Sequence, residues 1–422
     1  MNLRTVTAKD IEKKRVLMRV DYNVPLEHKN GAVKIVDGRR IKLSLETLHF
    51  LLKHNAKVTL ISHLGRPKGE PNPDLTLKPI ANYLQKECDI SFKLIEDWIE
   101  NLALTTLSQA EDTVHLLENL RFYPGEKKND PDFSKKLAEP FDVYINDAFS
   151  AAHRAHASTV GVTKFLPSFA GFALTAEVSA LSKLLENPVR PLAIVIGGAK
   201  ISDKVAAAKN LTKIADFVLI GGAVANNFLK ADGIEIHKSF IEEVTGDLAK
   251  QGIDYVKFAE KLMEDYKTER ILKDGYIPLP KILYPVDVLA ARSLKTESKN
   301  QVSVVDLSHD MADTPDDKNL QYLDIGPKTI RLYSELLKHA KTVFWNGPMG
   351  VWENKLFRRG TKIVAQTIAN SKATTVLGGG DTIAAVDHFG LEHDFSYISA
   401  AGGASLDFLG GAELPGLKPL QK

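Results

Sequence analysis

Four separate connections of the chain, each following a short apolar run, carry polar residues and deliver arginine or histidine. Asp21 and Asn23 follow Arg15–Val20, with Arg40 further on. His63 and Arg66 follow Lys57–Ile61, and Asn119 and Arg121 follow Val114–Leu117. Asn146 and Asp147 follow Val143–Ile145, with His153, Arg154 and His156 beyond. The guanidinium fork matches carboxylate and phosphate, so the set collects groups that bind an anion. Any one of these arginines taken alone reads better as a solvated surface charge. Their shared position after successive apolar runs is what carries information. The histidines are not spaced with cysteines as metal ligands, and ordinary hydrogen-bonding roles suit them.

The second half of the chain follows its apolar runs with glycine instead: Gly197-Gly198-Ala199-Lys200, Gly221-Gly222-Ala223, Gly347-Pro348-Met349-Gly350, Gly378-Gly379-Gly380-Asp381-Thr382 and Gly402-Gly403-Ala404-Ser405. Glycine lets backbone N–H groups approach a ligand, and a helix N-terminus favours negative charge, so such turns suit phosphate. Tight strand–helix packing also explains any single one of them. Lys200 and Lys204 are four apart at the start of an expected helix, which would put both on one face. Asp381 beside a phosphate-binding turn suits Mg²⁺, which takes few protein carboxylates plus phosphate oxygens; as an N-cap it would serve the helix alone. No segment matches GxxxxGK[ST] and no GxGxxG follows a strand, which argues against a P-loop and against a dinucleotide site.

The elements that must carry these residues are legible from the apolar pattern. Further runs lie at Leu192–Ile196, Phe217–Ile220, Ile282–Tyr284, Thr342–Trp345, Thr374–Leu377 and Tyr397–Ser399. They are short and not strictly alternating, as strands buried on both faces are. Amphipathic stretches such as Ile41–Lys53, Lys78–Lys86 and Lys204–Lys213 separate them. Alternating strands and helices imply parallel sheets, whose ligands sit beyond the carboxyl ends of the strands. Leu174–Glu186 reads as a helix closed by Asn187-Pro188, the best boundary between two halves. The polar Gln301–Lys318 segment reads as a loop or a twisted excursion.

Bulk properties narrow the class. The chain has 422 residues, enough for two or three domains, and a formal net charge of +2, which gives no global pull toward nucleic acid or membrane. Its one cysteine, Cys88, excludes a disulfide framework. No apolar run reaches the roughly 18–20 residues of a membrane span, and the first residues lack a signal-like apolar core. A reducing, cytoplasmic setting is the expectation.

The motifs themselves are specific. RVDYNVP (Arg19–Pro25), SHLGRP (Ser62–Pro67), ENLRF (Glu118–Phe122), NDAFSAAHRAH (Asn146–His156), GGAKISDK (Gly197–Lys204), LDIGPKT (Leu323–Thr329), FWNGPMGVWE (Phe344–Glu353), GGGDT (Gly378–Thr382) and GGASLDFL (Gly402–Leu409) occur in this order. Along nearly its whole length the chain resembles the phosphoglycerate kinases. The resemblance implies two doubly wound parallel-sheet (Rossmann-like) domains joined by a hinge helix, with a central cleft. They would be residues 1–172, which bind 3-phosphoglycerate, and 188–403, which bind nucleotide. Residues 173–187 would form the hinge, and a tail from about 404 to 422 would pack back on the first domain. The implied activity is reversible phosphoryl transfer from 1,3-bisphosphoglycerate to ADP with Mg²⁺, by a cytoplasmic monomer without nucleic-acid or membrane partners.

The resemblance also implies roles. Asp21 and Asn23 would hold the glycerate, and Arg40, His63, Leu64, Gly65, Arg66, Arg121 and Arg154 would surround its phosphate and the moving group. Arg40 and Lys200 would be catalytic, and Asp381 the metal ligand. Lys204, Asn346, Gly379, Gly380 and Thr382 would meet nucleotide phosphate, and Glu353 the ribose. Gly198, Gly221, Gly222, Leu323, Pro348, Gly350 and Val351 would line the nucleoside pocket. The chain departs from the family pattern at Ala400-Ala401, at Ala223, at Tyr322 beside the expected adenine position, and at Ala173–Val178 in the hinge. A non-catalytic nucleotide or phosphate-sugar sensor on the same fold and a dinucleotide-dependent dehydrogenase are the alternatives. Together Arg40, Lys200, Lys204 and Asp381 argue against the first, and the absent fingerprint against the second.

Overall fold

All ten apolar runs form strands, because their side chains find cover on both faces of a sheet. The computed structural model describes residues 1–29, 32–87, 90–102, 106, 113–244, 254–267, 269–271, 278–307 and 317–422. Cys88 and half of the expected excursion, residues 308–316, lie outside the described residues. Two compact units emerge: residues 1–179 with 413–422, and residues 180–412.

The first unit contains strands β1 (Arg15–Arg19), β2 (Lys57–Ile61), β3 (Ser91–Ile95), β4 (Thr113–Leu117), β5 (Val143–Asn146) and β6 (Ser168–Ala170). They form one parallel sheet in the order β3-β4-β2-β1-β5-β6. Alternate residues of β1 face opposite layers. Val16 and Met18 pack with Leu48, Leu51 and Leu60, whereas Leu17 packs with Ile61, Trp98 and Leu137. The order reverses beside β1, with β2 on one side and β5 on the other, so the ends of these strands are where a ligand is expected. The stretch Ile41–Lys53 is two helices, Arg39–Leu43 and Leu45–Lys53, divided at Ser44, whose hydroxyl bonds back to the Ile41 carbonyl.

The second unit contains β7 (Leu192–Ile196), β8 (Phe217–Ile220), β9 (Ile282–Leu283), β10 (Thr342–Asn346), β11 (Thr374–Gly378) and β12 (Tyr397–Ser399). Their order is β9-β8-β7-β10-β11-β12, all parallel. The reversal here lies between β7 and β10. A separate antiparallel sheet of Asp287–Ala291, Ser303–Asp306 and Gln321–Ile325 stands beside it. The helix Phe172–Glu186 crosses the division between the units. The helix Gly403–Leu409 belongs to the second unit, where the Leu409 carbonyl accepts from Asn210 Nδ2 at 2.7 Å, and the chain rejoins the first unit at Glu413. No described helix is long and apolar enough to cross a membrane.

Candidate functional site

In the first unit, the residues after β1, β2, β4 and β5 share one hydrogen-bonded assembly. Asp21 accepts from the Asn23 amide at 3.0 Å and pairs with Arg40 Nη1 at 3.0 Å, and the Ser150 hydroxyl also bonds to it. Arg40 Nη1 donates in addition to the Asn23 carbonyl. The Asn23 side chain accepts from the Gly65 amide at 2.9 Å, and Arg121 Nη1 donates to the Gly65 carbonyl at 2.6 Å. Asn119 clamps Leu64 on both its amide and its carbonyl. Gly65 has φ +62°, which strains any other residue, and a Cβ there would lie 2.6 Å from Leu75 Cδ2 and have to displace it. Arg66 and Arg154 are exposed, and Arg154 Nε donates to His153 Nε2 at 2.9 Å.

The assembly is buried and positively charged, which disfavours adding further protons to it. Burial, then the charges of Arg19, Arg121, His156 and Arg40, hold the His63 imidazole well below its usual range. Burial and then Arg19, Arg154 and Arg66 bring Arg121 down to about 10, with Glu126 opposing. Burial, Arg121, Arg19 and Arg154 take His156 to about 3. Burial is the largest cause in each case and the arginine charges add to it, and guanidinium groups gathered this closely are stabilised by an anion placed among them.

Reading only the residues beyond each strand missed Arg19. It is the last residue of β1 and only 1% exposed, yet Nη2 reaches His63 Nδ1 at 2.8 Å and Nε reaches the Ser158 hydroxyl at 3.1 Å. The signal was there: a strand interior does not spend a buried cation without a partner. Glu126, fully buried on the short helix Pro124–Lys128, bonds to the Ser158 amide and hydroxyl and was also missed.

In the second unit, the glycine turns surround a cavity of about 460 Å³. Gly198, Gly222, Pro348 and Gly350 line it as close backbone, and Leu323, Val351, Glu353 and Asp381 supply side chains. The turns interlock: the Gly198 amide donates to the Pro348 carbonyl at 2.7 Å and the Gly222 amide to the Met349 carbonyl at 3.0 Å. Met349, unnoticed in the sequence, fills the space over Gly221, where a Cβ would lie 2.5 Å from its sulfur. Asn346 ends β10, and its carbonyl accepts from Gly197. Thr382 is fully buried and accepts from the Gly347 amide at 2.6 Å. Tyr322 lines the cavity and donates to the Glu235 carbonyl at 2.8 Å; Ala223, Lys238, Phe240 and Leu294 are further lining residues that the sequence did not mark for this role.

Two local expectations are corrected. Lys200 and Lys204 do not share a helical face: a 3₁₀ turn at Ser202–Lys204 precedes the helix Val205–Ile214, leaving Lys200 outside and exposed. They are linked through the backbone, with Lys204 Nζ donating to the Lys200 carbonyl at 2.9 Å. Lys204 still stands at the cavity, since a Cβ on Gly198 would be 3.6 Å from its Nζ. Burial lowers its pKa, while Asp203, Asp381 and Glu242 raise it. Asp381 is not the N-cap. Gly379, at φ +89°, takes that position, so the Asp381 carboxylate is in the first turn of Gly380–His388, exposed and free of capping duty.

The family model of phosphoglycerate kinase matches residues 6–412. The chain belongs to the phosphoglycerate kinase family. It is 44% identical over 421 residues to the phosphoglycerate kinase of Pseudothermotoga lettingae, covering 99% of each chain. With that of Moorella thermoacetica it shares 43% over 420 residues, covering 98% of each. The solved phosphoglycerate kinase of Coxiella burnetii superimposes with a TM-score of 0.77 at 38% identity, covering 100% of this chain and 97% of that one. That of Pyrococcus horikoshii gives 0.78 at 33%, covering 98% and 97%. The chain is accordingly a phosphotransferase with a carboxyl group as acceptor, and its two parallel-sheet units are those of the family.

Proposed function

We propose that the cationic assembly of the first unit binds 3-phosphoglycerate and the glycine-lined cavity of the second binds the nucleotide. The observation that carries this reading is geometric: Arg40 paired with Asp21, Arg121 on the Gly65 carbonyl and Arg19 on His63 gather three guanidinium groups at one sheet end. Such a set is relieved by a multiply charged anion, and Asp21 with Asn23 adds acceptors and a donor for hydroxyl and carboxylate. The nucleotide's apolar base suits the cavity side formed by Leu323, Val351, Phe240 and Leu294. Its phosphates suit the backbone around Gly379–Gly380 and the Lys204 ammonium.

Phosphoryl transfer asks little covalent chemistry of the protein; alignment and charge stabilisation carry it. Arg40, fixed by Asp21 and the Asn23 carbonyl, is assigned to the charge spread over the moving phosphoryl oxygens, and Lys200 to the same group. The helix Phe172–Glu186 is assigned as the hinge that lets the acyl phosphate and the ADP β-phosphate come into line. The acceptor carboxylate is ionised at neutral pH, so no general base is assigned.

Asp381 fits Mg²⁺: it is one hard, uncommitted carboxylate, and a metal that keeps phosphate oxygens and waters needs no larger protein cage. When bound, Mg²⁺ would neutralise nucleotide phosphate charge. The same reading has the chain act as a cytoplasmic monomer. A coupled assay of ATP formation from 1,3-bisphosphoglycerate, run with ADP and other nucleoside diphosphates, tests it; absent turnover with every nucleotide would overturn it.

A further inference from the structure

We propose that Arg19 is a positioning residue that fixes the His63 proton on Nε2, so that the ring meets the substrate anion as a neutral donor of fixed orientation. This rests on the assignment of the first unit's assembly to 3-phosphoglycerate. The argument begins with what an arginine can do. A guanidinium has five N–H donors and no acceptor. Its Nη2 lies 2.8 Å from His63 Nδ1, so Nδ1 must accept and carries no proton. A neutral imidazole then has its one proton on Nε2.

Arg19 cannot turn away from this task. Its Nε donates to the Ser158 hydroxyl at 3.1 Å, and its Nη1 donates to the Val20 carbonyl. The Ser158 hydroxyl donates to Glu126 Oε1 at 2.6 Å, while its amide donates to Glu126 Oε2 at 2.9 Å. A buried carboxylate thus orients a hydroxyl, the hydroxyl orients the guanidinium, and the guanidinium orients the imidazole. Each link has one direction, because the carboxylate only accepts and the guanidinium only donates.

The surroundings agree. The strongest influences on His63 are burial and then the charges of Arg19, Arg121, His156 and Arg40, each opposing an imidazolium, while the carboxylates of the assembly are committed elsewhere, Glu126 to Ser158 and Asp21 to Arg40. Nε2 makes no hydrogen bond to another described residue, and 6% of His63 remains exposed. A protonated His63 would lose its bond to Arg19 and bring a further cation into a buried positive site. A neutral ring with its proton on the other tautomer would face Arg19 donor to donor.

The test is ¹⁵N NMR of imidazole-labelled protein, with the His63→Gln spectrum supplying the assignment. From about pH 6 to pH 8, around the ordinary histidine pKa, the expected pattern is an unprotonated Nδ1 and a protonated Nε2 with no titration. A protonated Nδ1, or an imidazolium in this range, overturns the proposal. Arg19→Met, whose side chain has no donor, is expected to release the ring into mixed tautomers; an unchanged pattern there also overturns it. Binding of 3-phosphoglycerate by two His63 variants adds a readout that packing alone would not produce. Glutamine can place an amide donor near Nε2, and asparagine places its amide near Nδ1. His63→Asn is expected to weaken binding by about 10- to 100-fold, as loss of a hydrogen bond to a charged group does, and His63→Gln by only a few fold. Equal losses in the two overturn the donor role. If neither variant weakens binding while the NMR pattern holds, the fault lies in assigning this assembly to 3-phosphoglycerate, and the proposal falls with it.

Discussion

Replacing Gly222 by alanine separates a pocket built from close backbone from one merely bordered by glycines. Gly222 has φ +59°, and a Cβ there would lie 2.6 Å from the Gly198 nitrogen and 2.8 Å from both the Gly198 and Pro348 carbonyl oxygens. These are backbone atoms, so no rotamer change relieves the conflict. The left-handed conformation costs alanine about 1–2 kcal/mol. Overpacking typically adds about 1–3 kcal/mol, for a total of about 2–5 kcal/mol. If the turns move apart instead, the Gly198–Pro348 and Gly222–Met349 bonds lengthen, at about 1 kcal/mol net for each one lost. Gly198, Gly222 and Pro348 all line the cavity, so either response reaches the space proposed for the nucleotide. Calorimetric titration of Gly222→Ala is expected to show ADP affinity reduced at least about tenfold, equivalent to 1.4 kcal/mol, with 3-phosphoglycerate affinity within about twofold of wild type. Gly380→Ala is the companion, because a Cβ there meets nothing within 4 Å. Its fold should be undisturbed, and any loss of affinity reports ligand approach to that backbone. Unchanged ADP binding in Gly222→Ala would refute the reasoning.

Other perturbations follow from the same structure. Arg40→Ala should lower kcat by about 10²- to 10³-fold, as removal of a transition-state charge donor does, with ADP affinity nearly intact; steady-state kinetics and titration check it. Asp381→Ala should weaken Mg²⁺–ADP binding at least about tenfold but leave metal-free ADP and 3-phosphoglycerate binding near wild type, which calorimetry with and without Mg²⁺ resolves. Burial raises the Asp147 carboxyl from 3.8 to about 6, against the opposing bonds from the Leu174 and Ala173 amides and Thr47. The native state therefore binds more protons than the unfolded chain between these values, so stability falls as pH rises through this window. Relative to Asp147→Asn, urea denaturation should show the wild type losing up to about 3 kcal/mol between about pH 4 and pH 7.

Much of this was legible in the sequence because strands buried on both faces leave unmistakable apolar runs. The two strands of the parallel sheets that escaped, Ser91–Ile95 and Ser168–Ala170, are both edges. The first has exposed Ser91 and Lys93, and the second is only three residues long, so neither carries a continuous run. The post-strand rule found Asp21, His63, Arg121 and the glycine turns, since a parallel sheet delivers its loops to one end. It could not find Arg19, which is inside a strand, nor Met349, whose part is to fill space over a glycine. The Lys200–Lys204 spacing misled because a four-residue interval means one helical face only where a helix has begun, and here a 3₁₀ turn intervenes. Tyr322, Phe240 and Leu294 reach the cavity from segments whose convergence depends on a long chain reversal that no local pattern records.

The central claim is that two chemically different sites, one on each unit, hold the two substrates. Crossed titrations test it most directly: Arg154→Ala, an exposed position, and Lys204→Ala, each measured with 3-phosphoglycerate and with Mg²⁺–ADP. The expected result is that Arg154→Ala weakens only the glycerate and Lys204→Ala only the nucleotide. Either variant weakening both ligands alike, or weakening the opposite one, would contradict the account.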